Sequence, residues 1–227
     1  MRSQTYTIRF LFRKKVAFET YTFYFDRPNK FTFISGQYNR WTLPITTNDD
    51  KGSSRFFTIS SSPNDKDKIS FTTRIGTSEF KKALLRLKPN DKITIFGPMG
   101  QFLINEEELK PKIFLAGGMG ITPFISFLIA KPTTPIILIA SFKTPQAVIN
   151  LEQSPLIKII YTITNATKSD QWQGEKGRIS EALIKKYVPM FENSLFYITG
   201  STSMVDDTKI LINKLGIQDN KIRSESY

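Results

Sequence analysis

The sequence predicts two domains, a six-stranded antiparallel β-barrel followed by an α/β domain built on a parallel sheet. Three observations predict this. Up to about residue 105, short segments are rich in Thr, Ile, Phe and Tyr, and Thr20-Tyr21-Thr22-Phe23-Tyr24-Phe25 shows the strand period of two. From Lys112 onward, short apolar runs alternate with helical stretches, the signature of a doubly wound sheet. A charged stretch at 105–110, ahead of Pro111, separates the two patterns and sets domains at 1–107 and 108–227.

In the first half, strands are expected at 4–12, 20–25, 36–43, 54–60, 69–74 and 92–96. Turn signals separate them at Arg27-Pro28-Asn29, at the polar stretch 46–53 and at Pro63-Asn64-Asp65. One helix is expected from Ser78 to Leu87. Six short strands with one helix suit a small barrel. In the second half, strands are expected at 113–116, 136–141, 157–163, 195–199 and 222–225. Helices are expected from Ile121, from a Thr144-Pro145 start, from Ser180 to Tyr187, and from Met204 to Leu215 before Gly216.

Composition narrows the chemistry. The 227 residues are 40% hydrophobic and 23% charged, ordinary for a globular chain. Cysteine is absent, which excludes disulfides, a thiolate nucleophile and Cys-ligated zinc or iron–sulfur clusters in this chain. Histidine is absent too, which excludes a His base, a His-ligated haem and a Ser-His-Asp triad. Redox chemistry is therefore expected from an organic cofactor. The net charge of +12 suits anionic partners and equally suits plain solubility. The cations are scattered in pairs such as Lys14-Lys15, Lys81-Lys82 and Lys185-Lys186, without a basic tail, so nucleic acid is not expected. No apolar run approaches the roughly 18 residues of a membrane span. The first residues enter an alternating segment without a signal-peptide core, so a cytoplasmic protein is expected.

Four segments carry candidate chemistry. Arg55-Phe56-Phe57-Thr58 lies on the fourth strand, where alternation puts Arg55 and Phe57 on one face. An arginine can hold a diphosphate bidentately and an aromatic can pack on a flat ring. The same four residues also suit an ordinary strand. Gly76-Thr77-Ser78 opens a helix, where backbone N–H groups favour an anion, although Thr77 or Ser78 also suits a plain cap. Gly117-Gly118-Met119-Gly120-Ile121-Thr122-Pro123 joins a strand to a helix. Its glycines allow close approach of a pyrophosphate, or simply a tight turn. Thr199-Gly200-Ser201-Thr202-Ser203-Met204 ends a later strand, the place where open α/β sheets bind ligands, and also reads as a strand–helix loop with a Ser cap.

In order and spacing, these segments resemble the ferredoxin–NADP reductase-like flavoprotein superfamily over nearly the whole chain. Its R-x-Y/F-S/T motif is matched by Arg55–Thr58. Ser35-Gly36-Gln37-Tyr38 matches P-G-Q-Y/F with Ser for Pro, and Gly97-Pro98-Met99-Gly100-Gln101-Phe102 matches G-P-x-G-x-F. Gly117–Pro123 matches G-G-x-G-x-T-P. Trp172, Gly174, Gly177 and Arg178 match W-x-G-x-x-G-R. Thr199–Met204 matches C-G-P-x-x-M, and Glu225-Ser226-Tyr227 matches the terminal E-x-Y of plant-type members.

The resemblance implies an FAD-binding barrel, a nucleotide-binding sheet and hydride transfer between NADH or NADPH and the flavin. It gives Arg55 and Ser78, with Arg74, Gly76 and Thr77, to the FAD diphosphate side. Phe57 is expected to pack on the ring and Thr58 to hydrogen-bond its reactive nitrogen, with Phe56 also given to cofactor binding. Gly117, Gly118, Gly120, Ile121, Thr122, Pro123, Gly200 and Met204 are given to the nicotinamide dinucleotide. Thr199, Glu225 and Tyr227 are placed at the reacting centre, with Tyr227 stacked on the flavin. Two residues depart from the pattern: Thr199 replaces a Cys and Ser201 a Pro. The plant-type Ser-Arg grip on a 2′-phosphate is replaced by Thr164-Asn165, with Lys143 or Lys168 as candidate cations, and the reading leans to NADH. FMN in place of FAD stays open. The electron acceptor is expected to be separate, and the charge of +12 suits an acidic ferredoxin or flavodoxin. A flavin- and nucleotide-binding electron-transfer or regulatory subunit without independent turnover is the alternative.

Overall fold

The computed structural model describes residues 2–46, 52–105, 107–167, 171–189 and 193–227. Two compact units are present. One comprises Met1–Asn105 and Thr122–Ala130, the other Glu106–Ile121 and Lys131–Tyr227.

The first unit holds strands β1 (Gln4–Ala17), β2 (Thr20–Asp26), β3 (Tyr38–Thr42), β4 (Ser54–Thr58), β5 (Lys68–Arg74) and β6 (Lys92–Met99), with helix α1 (Glu79–Arg86) after β5. The strands pair antiparallel in the order β4-β3-β6-β1-β2-β5. An antiparallel bridge between Ile59 and Phe71 joins the two ends and closes the barrel. Alternation points Phe23, Phe25, Phe71, Trp41 and Ile95 inward, all fully buried. Their rings interlock, with Trp41 4.6 Å from Phe71 and Phe23 stacked on it at 5.3 Å. On the other face of β2 and β5 the buried residues are hydroxyls. Thr22 and Thr72 share a hydrogen bond of 2.8 Å, and Ser60 reaches Thr72 at 3.0 Å.

Strand β1 continues to Ala17, beyond the expected end at residue 12. Arg13, Lys14 and Lys15 break the apolar alternation, yet they pair with Phe23, Thr22 and Tyr21 of β2, which holds them in the strand. Helix α2 (Thr122–Leu128) groups with this unit. Its Ser126 hydroxyl lies 2.7 Å from the Ser61 carbonyl and 3.1 Å from the Ser35 hydroxyl, so the residue standing where the motif has Pro is tied down by hydrogen bonding.

The second unit is a parallel sheet of β7 (Lys112–Gly117), β8 (Ile136–Phe142), β9 (Ile157–Ile163), β10 (Glu175–Lys176), β11 (Leu195–Gly200) and β12 (Ile222–Ser226). Its order is β10-β9-β8-β7-β11-β12. Near-continuous apolar runs in β7 and β8 are what strands buried on both faces require. Helices α3 (Glu181–Tyr187) and α4 (Thr202–Lys214) cover one face through Leu183, Ile184, Val205 and Ile212. Ser180 and Ser201 cap them by accepting from Leu183 N and Met204 N.

Two expectations change here. Thr144-Pro145 opens only a single 3₁₀ turn over Pro145–Ala147, and Thr144 makes no side-chain cap bond. Val148 and Ile149 turn inward instead and are buried, so the chain leaves the helical path. The two-residue strand β10 was not expected, because two residues carry no alternation. It exists by pairing with Thr162 and Ile163 of β9.

Candidate functional site

In the first unit the site residues gather where β4 begins and β5 ends. The Arg55 guanidinium stands 5.1 Å over the Phe80 ring. Phe57 stacks on Phe71 at 4.5 Å and lies 6.0 Å from Phe80, so Arg55 and Phe57 share a face. Phe80 is the second residue of α1, whose N-cap is Ser78: its hydroxyl accepts from Lys81 N at 3.4 Å. Arg55 therefore lies beside a capped helix start, with its Nη1 also donating to the Gly52 and Ser54 carbonyls at 2.8 and 2.7 Å. Arg74, Gly76 and Thr77 are exposed in the same stretch. Here the donors suit an anion: a guanidinium beside a helix N-terminus carrying about half a positive charge.

The two phenylalanines of the motif differ. Phe57 is committed in large part to the barrel core, whereas Phe56 is 64% exposed and touches Tyr38 edge-on at 5.8 Å. The greater free ring surface thus belongs to Phe56. Thr58 stands opposite Tyr38, and Trp41 Nε1 donates to the Phe57 carbonyl at 3.1 Å, locking β4 onto β3. The Ser35–Tyr38 and Gly97–Phe102 motifs meet through the pairing of Tyr38 with Met99 and the bond from Ile104 N to the Ser35 carbonyl.

In the second unit, the site residues meet at the carboxyl edge of the sheet. After β7 the chain makes a 3₁₀ turn over Gly118–Ile121 that packs on the end of β11. The fully buried Thr199 donates its hydroxyl to the Gly120 carbonyl. A Cβ on Gly120 would overlap the Thr199 carbonyl, and one on Gly200 would reach Met204 Sδ at 2.8 Å. At Gly120, where the neighbour is backbone, only glycine permits this approach. Gly117 and Gly118 keep accessible backbone, whereas Ile121, Thr122 and Pro123 are buried. The resemblance sets Thr199 at the nicotinamide; here its hydroxyl holds the glycine turn to β11.

Strand β12 brings the last residues to the same edge. Glu225 lies opposite Thr199, Ser226 opposite Gly200, and Tyr227 N donates to the Gly200 carbonyl at 3.2 Å. Burial pushes the Glu225 carboxyl above its ordinary pKa. Tyr227 is 58% exposed. Further along the edge, Thr164 N and Asn165 N donate to the Phe142 and Lys143 carbonyls, setting exposed Lys143 beside Thr164-Asn165. Lys168 lies outside the described residues. The Trp172–Arg178 motif builds β10: Trp172 Nε1 donates to the Glu175 carbonyl, and Gly177 N to that of Ile163. Arg178 is exposed, 3.9 Å from Asp207.

A closed barrel, joined in one chain to a parallel sheet with a glycine turn at its carboxyl edge, is the two-domain fold of the solved ferredoxin reductases that superpose on this chain. The chain matches, over residues 114–209, the family described as the oxidoreductase NAD-binding domain. It is 28% identical over 208 residues to the anthranilate 1,2-dioxygenase electron transfer component of Acinetobacter baylyi, covering 86% of this chain and 58% of that protein. The chain thus spans rather more than half the length of that relative. The ferredoxin reductase in carbazole 1,9a-dioxygenase superposes with a TM-score of 0.85 at 16% identity, over all of this chain and 70% of that one. A ferredoxin NADP+ reductase from Neisseria gonorrhoeae with bound FAD and NADP superposes with a TM-score of 0.79 at 21% identity, over 98% of both chains.

Proposed function

We propose that the chain is an FAD-dependent oxidoreductase that takes a hydride from NADH or NADPH and passes electrons to a separate acceptor. The carrying observation is the placement of Arg55 beside the Ser78-capped start of α1, a donor set made for a diphosphate. Hydride acceptance is chemistry that a bound flavin supplies. The chain's own residues bind and orient. In this reading Arg55 and the start of α1 hold the diphosphate, Phe56 and Phe57 border the ring, and Thr58 donates to its reactive nitrogen. Gly117 and Gly118 receive the dinucleotide phosphates through backbone N–H groups. Thr199 is a positioning residue that fixes this turn, and Glu225 and Tyr227 stand beside it at the reacting end. Lys143 is the cation whose position suits a 2′-phosphate, so NADPH stays a candidate beside NADH.

The acceptor is read as another protein, in line with the relative named as a dioxygenase electron transfer component. The charge of +12 favours an acidic ferredoxin or flavodoxin, whose reduction rate should then fall as salt rises. The word "component" in that name also supports a second reading, an electron-transfer or regulatory subunit without turnover of its own.

The test is a visible absorption spectrum of the purified protein, repeated after anaerobic NADH and then NADPH. Flavin bands that bleach are expected, faster with the true donor. Flavin-loaded protein that neither donor bleaches would favour the second reading. Failure to bind any flavin would overturn both.

A further inference from the structure

We propose that Phe18, in the turn between β1 and β2, is the platform for the adenine of FAD, so that this turn selects the dinucleotide flavin over FMN. The proposal rests on the flavin reading above and extends it to a residue that none of the sequence motifs includes.

The turn's composition is the first observation. Ala17 pairs with Thr20, which leaves Phe18-Glu19 as a two-residue connection. Such turns favour Gly, Asn or Asp because they use left-handed backbone, and Glu19 indeed sits at φ 50. A phenylalanine here satisfies no backbone requirement. Phe18 is 60% exposed. The other exposed phenylalanine of β1, Phe12, is accounted for by stacking on Tyr24 at 4.5 Å. Phe18 makes no such stack among the described residues.

Position is the second observation. The Glu19 carbonyl accepts from Ile75 N at 2.7 Å, and Thr20 pairs with Arg74, so the turn lies against the end of β5. On the opposite side of β5 runs β4. An isolated antiparallel bridge joins Ile59 to Phe71, and Arg55 stands over Phe80 in the helix that follows β5. Arg55 and the Phe18 turn therefore both flank the segment where β5 ends and α1 begins. A ribose would link a diphosphate at Arg55 to a base on Phe18 along this segment, where Arg74 is exposed. A flat apolar ring at this place suits a purine face, which stacks on aromatic side chains.

Equilibrium dialysis of the apoprotein against FAD and against FMN tests this by the ratio of the two Kd values. The wild type should bind FAD more tightly. Phe18→Ala should weaken FAD about tenfold, within the range of base-on-aromatic stacking, and leave FMN unchanged. Phe18→Leu keeps apolar bulk without a flat face and should follow the alanine variant, whereas Phe18→Trp should retain the preference. Phe12→Ala should alter neither flavin. Equal affinities in the wild type, or an unchanged FAD-to-FMN ratio in Phe18→Ala, would overturn the platform and leave the flavin reading standing. A wild type that binds neither flavin would overturn the flavin reading and the platform together.

Discussion

The two units build their candidate sites from different material. In the barrel, chemistry is carried by side chains set on strand and helix ends: Arg55 over Phe80, Ser78 capping α1, Thr58 at the end of β4. In the sheet, it is carried by backbone. Gly120 lies so close to the Thr199 carbonyl at the end of β11 that a side chain there would collide with backbone. The cores differ in the same sense. The barrel is filled by rings, Phe23, Phe25, Trp41 and Phe71, whereas the face of the sheet under α3 and α4 is mostly aliphatic. A barrel site should therefore lose ligand when a side chain is removed. A sheet site should fail when one is added.

The largest effect expected is structural and confined to the barrel. Trp41 is fully buried, and its indole N–H holds the Phe57 carbonyl. Trp41→Ala should cost about 3–5 kcal/mol in denaturant unfolding. A loss below about 1 kcal/mol would mean that the ring core does not hold the barrel.

Next comes Arg55→Ala, which removes a half-buried charged donor at the start of β4. FAD affinity should fall about ten- to a hundredfold in dialysis, while the apoprotein melts nearly as before. Unchanged FAD retention would remove Arg55 from the diphosphate site.

Gly120→Ala adds one methyl group where the Thr199 carbonyl already lies, and should cost about 1–3 kcal/mol. It should also weaken nucleotide binding with FAD affinity intact. If FAD affinity fell as well, the two sites would not be separable in this way.

The smallest effect concerns Glu225. Burial raises its folded-state pKa, so the folded chain holds this proton to higher pH than the unfolded chain does. Ionisation therefore costs the folded state, and that cost grows as pH rises from the ordinary carboxylate pKa through the raised one. Glu225→Gln removes it. The variant should be slightly more stable near neutral pH, by about 0.5 kcal/mol or less for a half-buried group, and should match the wild type in acid. Equal melting curves at both pH values would show that the carboxylate is well solvated.

Much of the architecture was legible because it follows local rules. Runs rich in Thr, Ile, Phe and Tyr marked the six barrel strands, and Ser78 and Ser180 marked helix starts, since a cap needs only the residues beside it. Thr144-Pro145 shows the limit. Its signal suits a long helix and a single 3₁₀ turn equally well, and burial of Val148 and Ile149 decided between them. The far end of β1 was missed for the converse reason: its charged residues lack a pattern of their own and are held by β2.

The site divides along the same line. Sequence by itself determined the residue types available: an arginine two positions before a phenylalanine on one strand face, glycines after an apolar strand, and no cysteine or histidine to suggest other chemistry. Only the tertiary structure decided what each side chain was committed to. It turned Phe57 toward the core and left Phe56 exposed. It bonded Thr199 to Gly120, 79 residues away, and set the Phe18 turn beside the end of β5. Period and capping depend on neighbours along the chain, whereas these commitments depend on partners that only folding brings within hydrogen-bond or van der Waals reach.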